Sequence, residues 1–121
     1  MNILLENGTE LSALGVLGGK GYDQGSRREY LEFLFPQAGN TVEALEQALA
    51  GEHCGSITLE DPETGEQFVY TGYVLRGGVR VFRDEESGTW TIGLKRCQQT
   101  ELEKTVAQLQ QAVAQMQEAQ R

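Results

Sequence analysis

From Leu102 onwards, apolar residues recur at alternating intervals of four and three positions. They are Leu102, Val106, Leu109, Val113 and Met116. Glutamine, alanine, glutamate and lysine fill almost all of the positions between them. This spacing is typical of a coiled-coil seam with leucine or methionine at heptad position d and valine at position a. It predicts a coiled-coil-like amphipathic helix over residues 98–121 and makes the seam residues the candidate oligomerisation or partner-binding site.

The beginning of this helix has its own signal. Thr100 and Glu103 have the spacing of a capping box, so we expect the helix to start near residue 98 or 100. The flanking e and g positions are mostly uncharged and contribute little to the choice of partner. Valine at a and leucine at d favour two parallel strands, although the segment has fewer than three heptads. We therefore expect a dimer or a trimer.

The chain before the helix begins with β-type patterns. Residues 2–6 and 10–17 predict two strands joined by a tight turn at Asn7-Gly8. Residues 18–27 are polar and rich in glycine, which favours a loop exposed to solvent or to a partner. The glycines around Lys20 have neither the P-loop nor the dinucleotide-binding spacing, so phosphate binding is not expected.

A strand and a helix are predicted next. Residues 28–35 alternate and predict a strand that Pro36 ends, with Leu31, Phe33 and Phe35 facing the core. Residues 41–50 give the one strong helix signal before residue 98. Asn40 is the predicted N-cap, and Glu43, three residues later, is the glutamate of a capping box. The predicted helix has an apolar stripe of Val42, Leu45 and Leu49 and ends at Gly51.

Short strands with turn signals follow as far as residue 97. The predicted strands cover residues 56–60, 67–75, 79–81 and 89–94, with turns at 61–65, at Gly77-Gly78 and at 84–88. The residues expected to face the core are Ile57, Leu59, Trp90, Ile92 and Leu94. The order of elements predicts a mainly β, α+β fold. Residues 1–97 would form a small antiparallel barrel or sandwich with one short packed helix at about 40–50, followed by the C-terminal amphipathic helix.

Composition narrows the classes of function. The chain has 121 residues, the size of one domain, and a net charge of −8 from 10 basic and 18 acidic residues. A nucleic-acid binder needs a basic patch, so DNA and RNA are not expected partners. No apolar run has the length of a membrane span, and the first residues lack the pattern of a signal peptide. We expect a protein made in the cytoplasm and no membrane partner.

Groups that could carry chemistry are few. Glu52-His53-Cys54 contains the single histidine, but a structural zinc site needs four ligands and Cys97 is the only other soft one. We expect a loop histidine, a half-buried Cys54 and reduced thiols. Asp84-Glu85-Glu86 lacks the spacing of a calcium loop. Arg76 and Arg80 are expected to form a surface charge pair across the turn or with nearby acids. The sequence therefore predicts no catalytic residue, cofactor or metal.

Several segments together resemble a known family. They are Met1 to Thr9, Tyr30 to Pro36, Cys54 to Leu59, Tyr70-Thr71-Gly72-Tyr73 and the helical tail. Their order is similar to that of small structural proteins encoded in the tail and baseplate regions of tailed, siphovirus-like phages and prophages of Gram-positive gut bacteria. The resemblance implies a non-enzymatic virion or assembly protein, located in the tail and assembled in the bacterial cytoplasm, with itself or other phage structural proteins as partners.

The sequence is compatible with two hypotheses of function. In the first, the chain is a structural module that self-associates or docks through its C-terminal helix. In the second, it is a small ligand- or peptide-binding regulatory module whose helix packs on its own sheet. An aromatic-lined pocket near Tyr70, Tyr73 or Trp90 would favour the second hypothesis.

Overall fold

Two antiparallel sheets face each other in the computed structural model, which describes residues 1–23 and 25–119. The strands are β1 (Asn2–Leu5), β2 (Glu10–Ser12), β3 (Gly15–Asp23), β4 (Ser26–Pro36), β5 (Ser56–Glu60), β6 (Gln67–Thr71), β7 (Leu75–Arg83) and β8 (Trp90–Cys97). The helices are α1 (Val42–Ala48), a short 3-10 helix (Gly51–His53) and α2 (Glu101–Ala119). Gln24, Gln120 and Arg121, which belong to the predicted loop and helix, lie outside the described residues.

Each sheet has four strands, in the orders β2-β1-β5-β6 and β3-β4-β8-β7. The two sheets do not close into a barrel, so the sandwich, one of the two predicted architectures, is the fold. Alternate residues of β4 and β8 supply one side of the core and those of β1 and β5 the other. The largest fully buried side chains include Phe33, Phe35, Ile92, Leu94, Ile3 and Ile57.

The inward faces of β4 and β5 are confirmed, but the expectation for Trp90 is wrong. Leu31, Phe33 and Phe35 are buried, as are Ile57 and Leu59. Ile92 and Leu94 are buried too, whereas Trp90 on the same strand is 53% exposed. Trp90 is the first residue of β8 and pairs with the last residue of β7. The alternation of β8 therefore continues beyond the end of the core, and about half of the Trp90 surface stays exposed.

The first hairpin is confirmed, although its loop is longer than predicted. The Leu5 N–H donates to the Thr9 carbonyl at 2.9 Å, which leaves a loop of residues 6–8. Gly8 has φ +87°, the left-handed conformation that three-residue hairpin loops require. The predicted second strand, 10–17, is divided: β2 ends at Ser12 in one sheet and β3 begins at Gly15 in the other.

The prediction of a loop over residues 18–27 is wrong. Most of this segment belongs to β3 and to the start of β4, whose ladder runs from Gly15 opposite Leu34 to Asp23 opposite Ser26. Gly19 serves the packing of the outer face, because a Cβ there would lie 2.5 Å from the Tyr30 hydroxyl oxygen. Pairing with β4 and the Tyr30 ring thus impose a strand on a sequence with weak strand propensity.

Helix α1 is shorter than predicted and begins with a different cap. The Thr41 hydroxyl accepts from the Ala44 N–H at 3.2 Å, which makes Thr41 the N-cap. The predicted cap, Asn40, donates its side-chain amide to the Pro36 carbonyl instead. The helix ends at Ala48, and Gly51, its predicted end, starts the 3-10 helix. Of the predicted stripe, Leu45 and Leu49 are buried and Val42 is partly buried.

The prediction of a turn at Gly77-Gly78 is also wrong. Strand β7 continues through both glycines, and its register with β8 shifts between Arg76 and Val79. Two residues of β7 thus lie opposite the single residue Lys95, which is a β-bulge. The predicted strand 67–75 is divided before these glycines, because β6 ends at Thr71 and β7 begins at Leu75.

The bulge gives a matched pair of substitutions. A Cβ at Gly77 would lie 2.6 Å from the Lys95 Cβ and 3.1 Å from the Cys97 Sγ, whereas one at Gly78 would meet nothing within 4 Å. We expect Gly77→Ala to lower the free energy of unfolding by about 1–3 kcal/mol because the strands must separate. Gly78→Ala should leave it unchanged or raise it by up to about 1 kcal/mol. Urea unfolding of both variants checks this, and equal effects would contradict the packing described for Gly77.

Candidate functional site

The seam residues of α2 form one exposed apolar stripe. The exposed fractions are 73% for Leu102, 44% for Val106, 60% for Leu109, 52% for Val113 and 63% for Met116. Every residue from 105 to 118 is exposed, so this part of the helix packs on neither sheet. The predicted site residues are therefore brought together on one helix face, which the described part of the chain leaves uncovered.

Nothing in the described residues forms a helix of the length and apolarity that crossing a membrane requires.

The first turn of α2 is fixed by the predicted capping box. The Thr100 N–H donates to Glu103 Oε1 at 2.9 Å, and the Glu103 N–H donates to the Thr100 hydroxyl at 3.2 Å. Both Glu103 oxygens also accept from the guanidinium of Arg28 on β4, with Nη2 to Oε2 at 3.0 Å. Arg28 is buried. A capping residue is thus tied by two charge-assisted hydrogen bonds to the sandwich.

The linker before α2 is held by both sheets. The Gln98 N–H donates to the Glu29 carbonyl on β4, and the Gln99 N–H donates to the Gly72 carbonyl just after β6, both at 2.9 Å. The Gln98 side-chain amide donates to the Thr71 carbonyl on β6 at 3.1 Å. The start of α2 is therefore fixed to the sandwich, while the seam beyond it stands free of the sheets.

The ion pair at the helix start predicts a pH dependence. Hydrogen bonds from Arg28 and from the Thr100 N–H lower the pKa of Glu103 to about 2 from its ordinary 4.5. Because the folded-state pKa lies below the unfolded one, the pair stabilises fully above about pH 4.5 and is lost as pH falls to about 2. We expect Glu103→Gln to melt below the wild type at pH 7, with the difference shrinking through that window. Thermal unfolding from pH 7 to pH 2 checks this, and a constant difference would contradict it.

The two cysteines lie in the interior. Cys54 and Cys97 are both buried, so the half-buried position expected for Cys54 is corrected. The Cys54 Sγ donates to the Leu49 carbonyl at 3.3 Å, and burial raises the pKa of the thiol. A buried thiol with a raised pKa lacks the thiolate that a nucleophile needs. Among the described residues, no three histidine, cysteine, aspartate or glutamate side chains are grouped to hold a metal.

The arginines beside Gly77-Gly78 bind different carboxylates rather than each other. Arg76 Nη2 lies 2.8 Å from Glu46 on α1. Arg80 donates two hydrogen bonds to Glu32, at 2.9 Å from Nε and 2.7 Å from Nη2, and these bonds raise the pKa of Arg80. Glu32 is 3% exposed, and Gly93 provides the space in which its carboxylate lies. No local sequence pattern indicates this pair, because its members are 48 positions apart along the chain.

Tyr70 and Tyr73, two of the three aromatic residues proposed to line a pocket, are in contact with each other. The rings of Tyr70 and Tyr73 are perpendicular, with centroids 5.8 Å apart, and both line a cavity of about 400 Å³ between the sheets. The Tyr73 hydroxyl donates to Glu29 at 3.4 Å; burial and that carboxylate raise the pKa of Tyr73 to about 12. Trp90 is not part of this cavity lining.

The site of clearest geometry is therefore an exposed apolar helix face fixed at one end to a β-sandwich. Comparisons of this chain with protein-family models, with curated proteins and with solved structures find no match.

Proposed function

We propose that this chain is a non-enzymatic assembly protein in which α2 binds the same helix of a second copy. The observation that carries the proposal is the exposure of the whole seam on a helix whose start is fixed to the sandwich. An isolated helix of this length is only marginally stable in water, and in proteins such a helix is stabilised mainly by burying its apolar face. Within residues 1–23 and 25–119 nothing covers that face of α2, so it is available to another molecule.

A second copy is the partner that the flanking residues favour. The flanking e and g positions of the helix are Glu103, Thr105, Gln110, Ala112, Gln117 and Ala119. Glu103 is the only charged one, and its carboxylate already binds Arg28. Identical helices can therefore lie side by side without like charges facing each other, and valine at a with leucine at d suits two parallel helices. The helix is about 28 Å long at 1.5 Å per residue, so the interface is short.

The narrower biological role is a structural or assembly protein of a phage or prophage tail or baseplate. Its support is the resemblance of the segments from Met1 to Thr9, Tyr30 to Pro36 and Cys54 to Leu59 to such proteins. In that role the protein would be assembled in the bacterial cytoplasm and retained in the virion, where other tail proteins are additional partners. The exposed helix face suits such a role because virion proteins act through contacts with their neighbours.

One observation favours the second candidate function, a ligand- or peptide-binding module. The cavity beside Tyr70 and Tyr73 has the volume of a small binding site. The exposed stripe does not support the other half of that hypothesis, a helix packed on its own sheet. Binding at the cavity is compatible with assembly through α2, since the two surfaces are separate.

The molar mass in solution tests the proposal. Light scattering after size-exclusion chromatography, over a range of protein concentrations, should give twice the chain mass of 13.4 kDa at high concentration and approach the chain mass on dilution. A mass that stays at 13.4 kDa up to high micromolar concentration would overturn self-association. A mass of three chains would keep self-association and replace the dimer with the trimer.

A further inference from the structure

Strand β3 lies at the edge of its sheet and has a strand neighbour, β4, on one side only. Its nine residues pair with β4 without a register shift, and the strand contains no proline. Natural edge strands commonly carry prolines, bulges or several charges, because an open row of backbone N–H and C=O groups binds other strands. The outer edge of β3 is therefore regular and extended, which is the form that an incoming strand needs for backbone pairing.

The cavity between the sheets lies beside this edge. Its volume is about 400 Å³, and its lining includes Val16, Gly18, Leu31, Phe68 and Tyr70. Gly18 faces the core side of β3 opposite Leu31, and a Cβ there would meet only the Leu31 Cδ2, at 4.0 Å. A strand residue with a side chain would fill this space. The missing side chain at Gly18 thus leaves room for an apolar group supplied from outside.

Lys20 is a cationic residue in the lining of the cavity, on the same face of β3 as Gly18. Lys20 is two residues after Gly18, so strand alternation places both on one side. Its side chain is 62% exposed, and its Nζ lies 3.8 Å from Glu29 Oε1, a loose ion pair. A neighbouring cavity is also lined by Lys20 and Glu29, and its lining includes Arg27 as well. A second basic side chain therefore lies close to Lys20, beyond the apolar lining of the first cavity. An incoming group opposite Lys20 is therefore favoured if it is acidic.

We propose that β3 binds an extended peptide segment of another protein as an added strand. An apolar side chain of that segment enters the cavity opposite Gly18, and an acidic side chain two residues away lies opposite Lys20. Backbone hydrogen bonds to the edge of β3 supply affinity, and the two side chains supply specificity, as in other cases of strand addition. This inference is independent of helix pairing, because α2 contributes no residue to the cavity beside Gly18.

An array of synthetic peptides tests this proposal. Each peptide has nine residues, the length of β3. Two positions separated by one residue are varied through all amino acids, and every other position is threonine or valine and stays constant. Labelled full-length protein should bind best where one position is leucine, isoleucine, valine or phenylalanine and the other is aspartate or glutamate, in either order. Binding without a preference at both positions would overturn the proposal.

Two variants of β3 link the preference to this site. Gly18→Leu should fill the cavity and weaken the best peptides by about tenfold or more, because their apolar side chain is no longer buried. Gly15→Leu, on the opposite face of β3 with nothing within 4 Å of its Cβ, should leave binding unchanged. Lys20→Glu should shift the charged preference from acidic to basic residues. Preferences that persist unchanged in Gly18→Leu and Lys20→Glu would place the binding elsewhere and overturn the proposal.

Discussion

Replacing Leu109 by glutamate should abolish the dimer and leave the sandwich folded. Leu109 is the central d residue of the seam, and in a dimer the variant would bury two carboxylates against each other. Burying an uncompensated charge costs about 3–5 kcal/mol, which weakens association by about a hundredfold or more. Because Leu109 is 60% exposed in the single chain, the sandwich loses no packing. Light scattering should therefore give the monomer mass at concentrations where we expect the wild type to be a dimer.

Gln111→Glu is the matched control for this prediction. Gln111 lies on the same helix at an exposed position on the side opposite the seam, and its substitution adds the same charge. It should leave the mass unchanged. If Leu109→Glu instead unfolds the whole protein, α2 contributes to the core of the sandwich. If both variants dissociate equally, net charge rather than the seam controls association.

Replacing Phe33 by alanine should lower the free energy of unfolding by about 3–5 kcal/mol, a large part of the stability of a domain of this size. Phe33 is 0% exposed and lies at the centre of β4, paired with Val16 on β3 and Leu94 on β8. Truncation leaves a cavity that three strands cannot close. Urea unfolding measures the loss.

Phe68→Ala removes the same atoms from a half-exposed site and is the control. Phe68 is 48% exposed on the edge strand β6, so we expect a loss of about 1 kcal/mol or less. Equal losses for Phe33→Ala and Phe68→Ala would contradict the placement of the core between the two sheets.

The parts of the fold that follow local rules could be predicted from the sequence. The alternation of Leu31, Phe33 and Phe35 gives the inward face of β4, because side chains of a strand point to opposite faces in turn. The capping box at Thr100 and Glu103 predicts a start of α2 near residue 98 or 100, and the helix begins at Glu101. The five seam residues follow from helical periodicity alone, and the structure places them on one exposed face.

The parts set by contacts distant in sequence could not be predicted. Strand β3 is rich in glycine, and its extended form depends on β4 and on the Tyr30 ring rather than on its own propensity. Arg28 and Glu103 are separated by 75 positions, so no local pattern reveals that they join the sandwich to the helix. The bulge at Gly77-Gly78 resembles a hairpin turn in sequence, because glycine suits both.

Oxidation of an introduced cysteine tests the central claim, that the seam of α2 joins two copies, most directly. In a parallel pair of helices, position 113 of one copy lies next to position 113 of the other. The native Cys54 and Cys97 are buried and react little, so Val113→Cys supplies the accessible thiol. We predict that it forms a covalent dimer under mild oxidation and that Gln111→Cys, outside the seam, does not. Absence of the dimer, or equal cross-linking of both variants, would contradict the account.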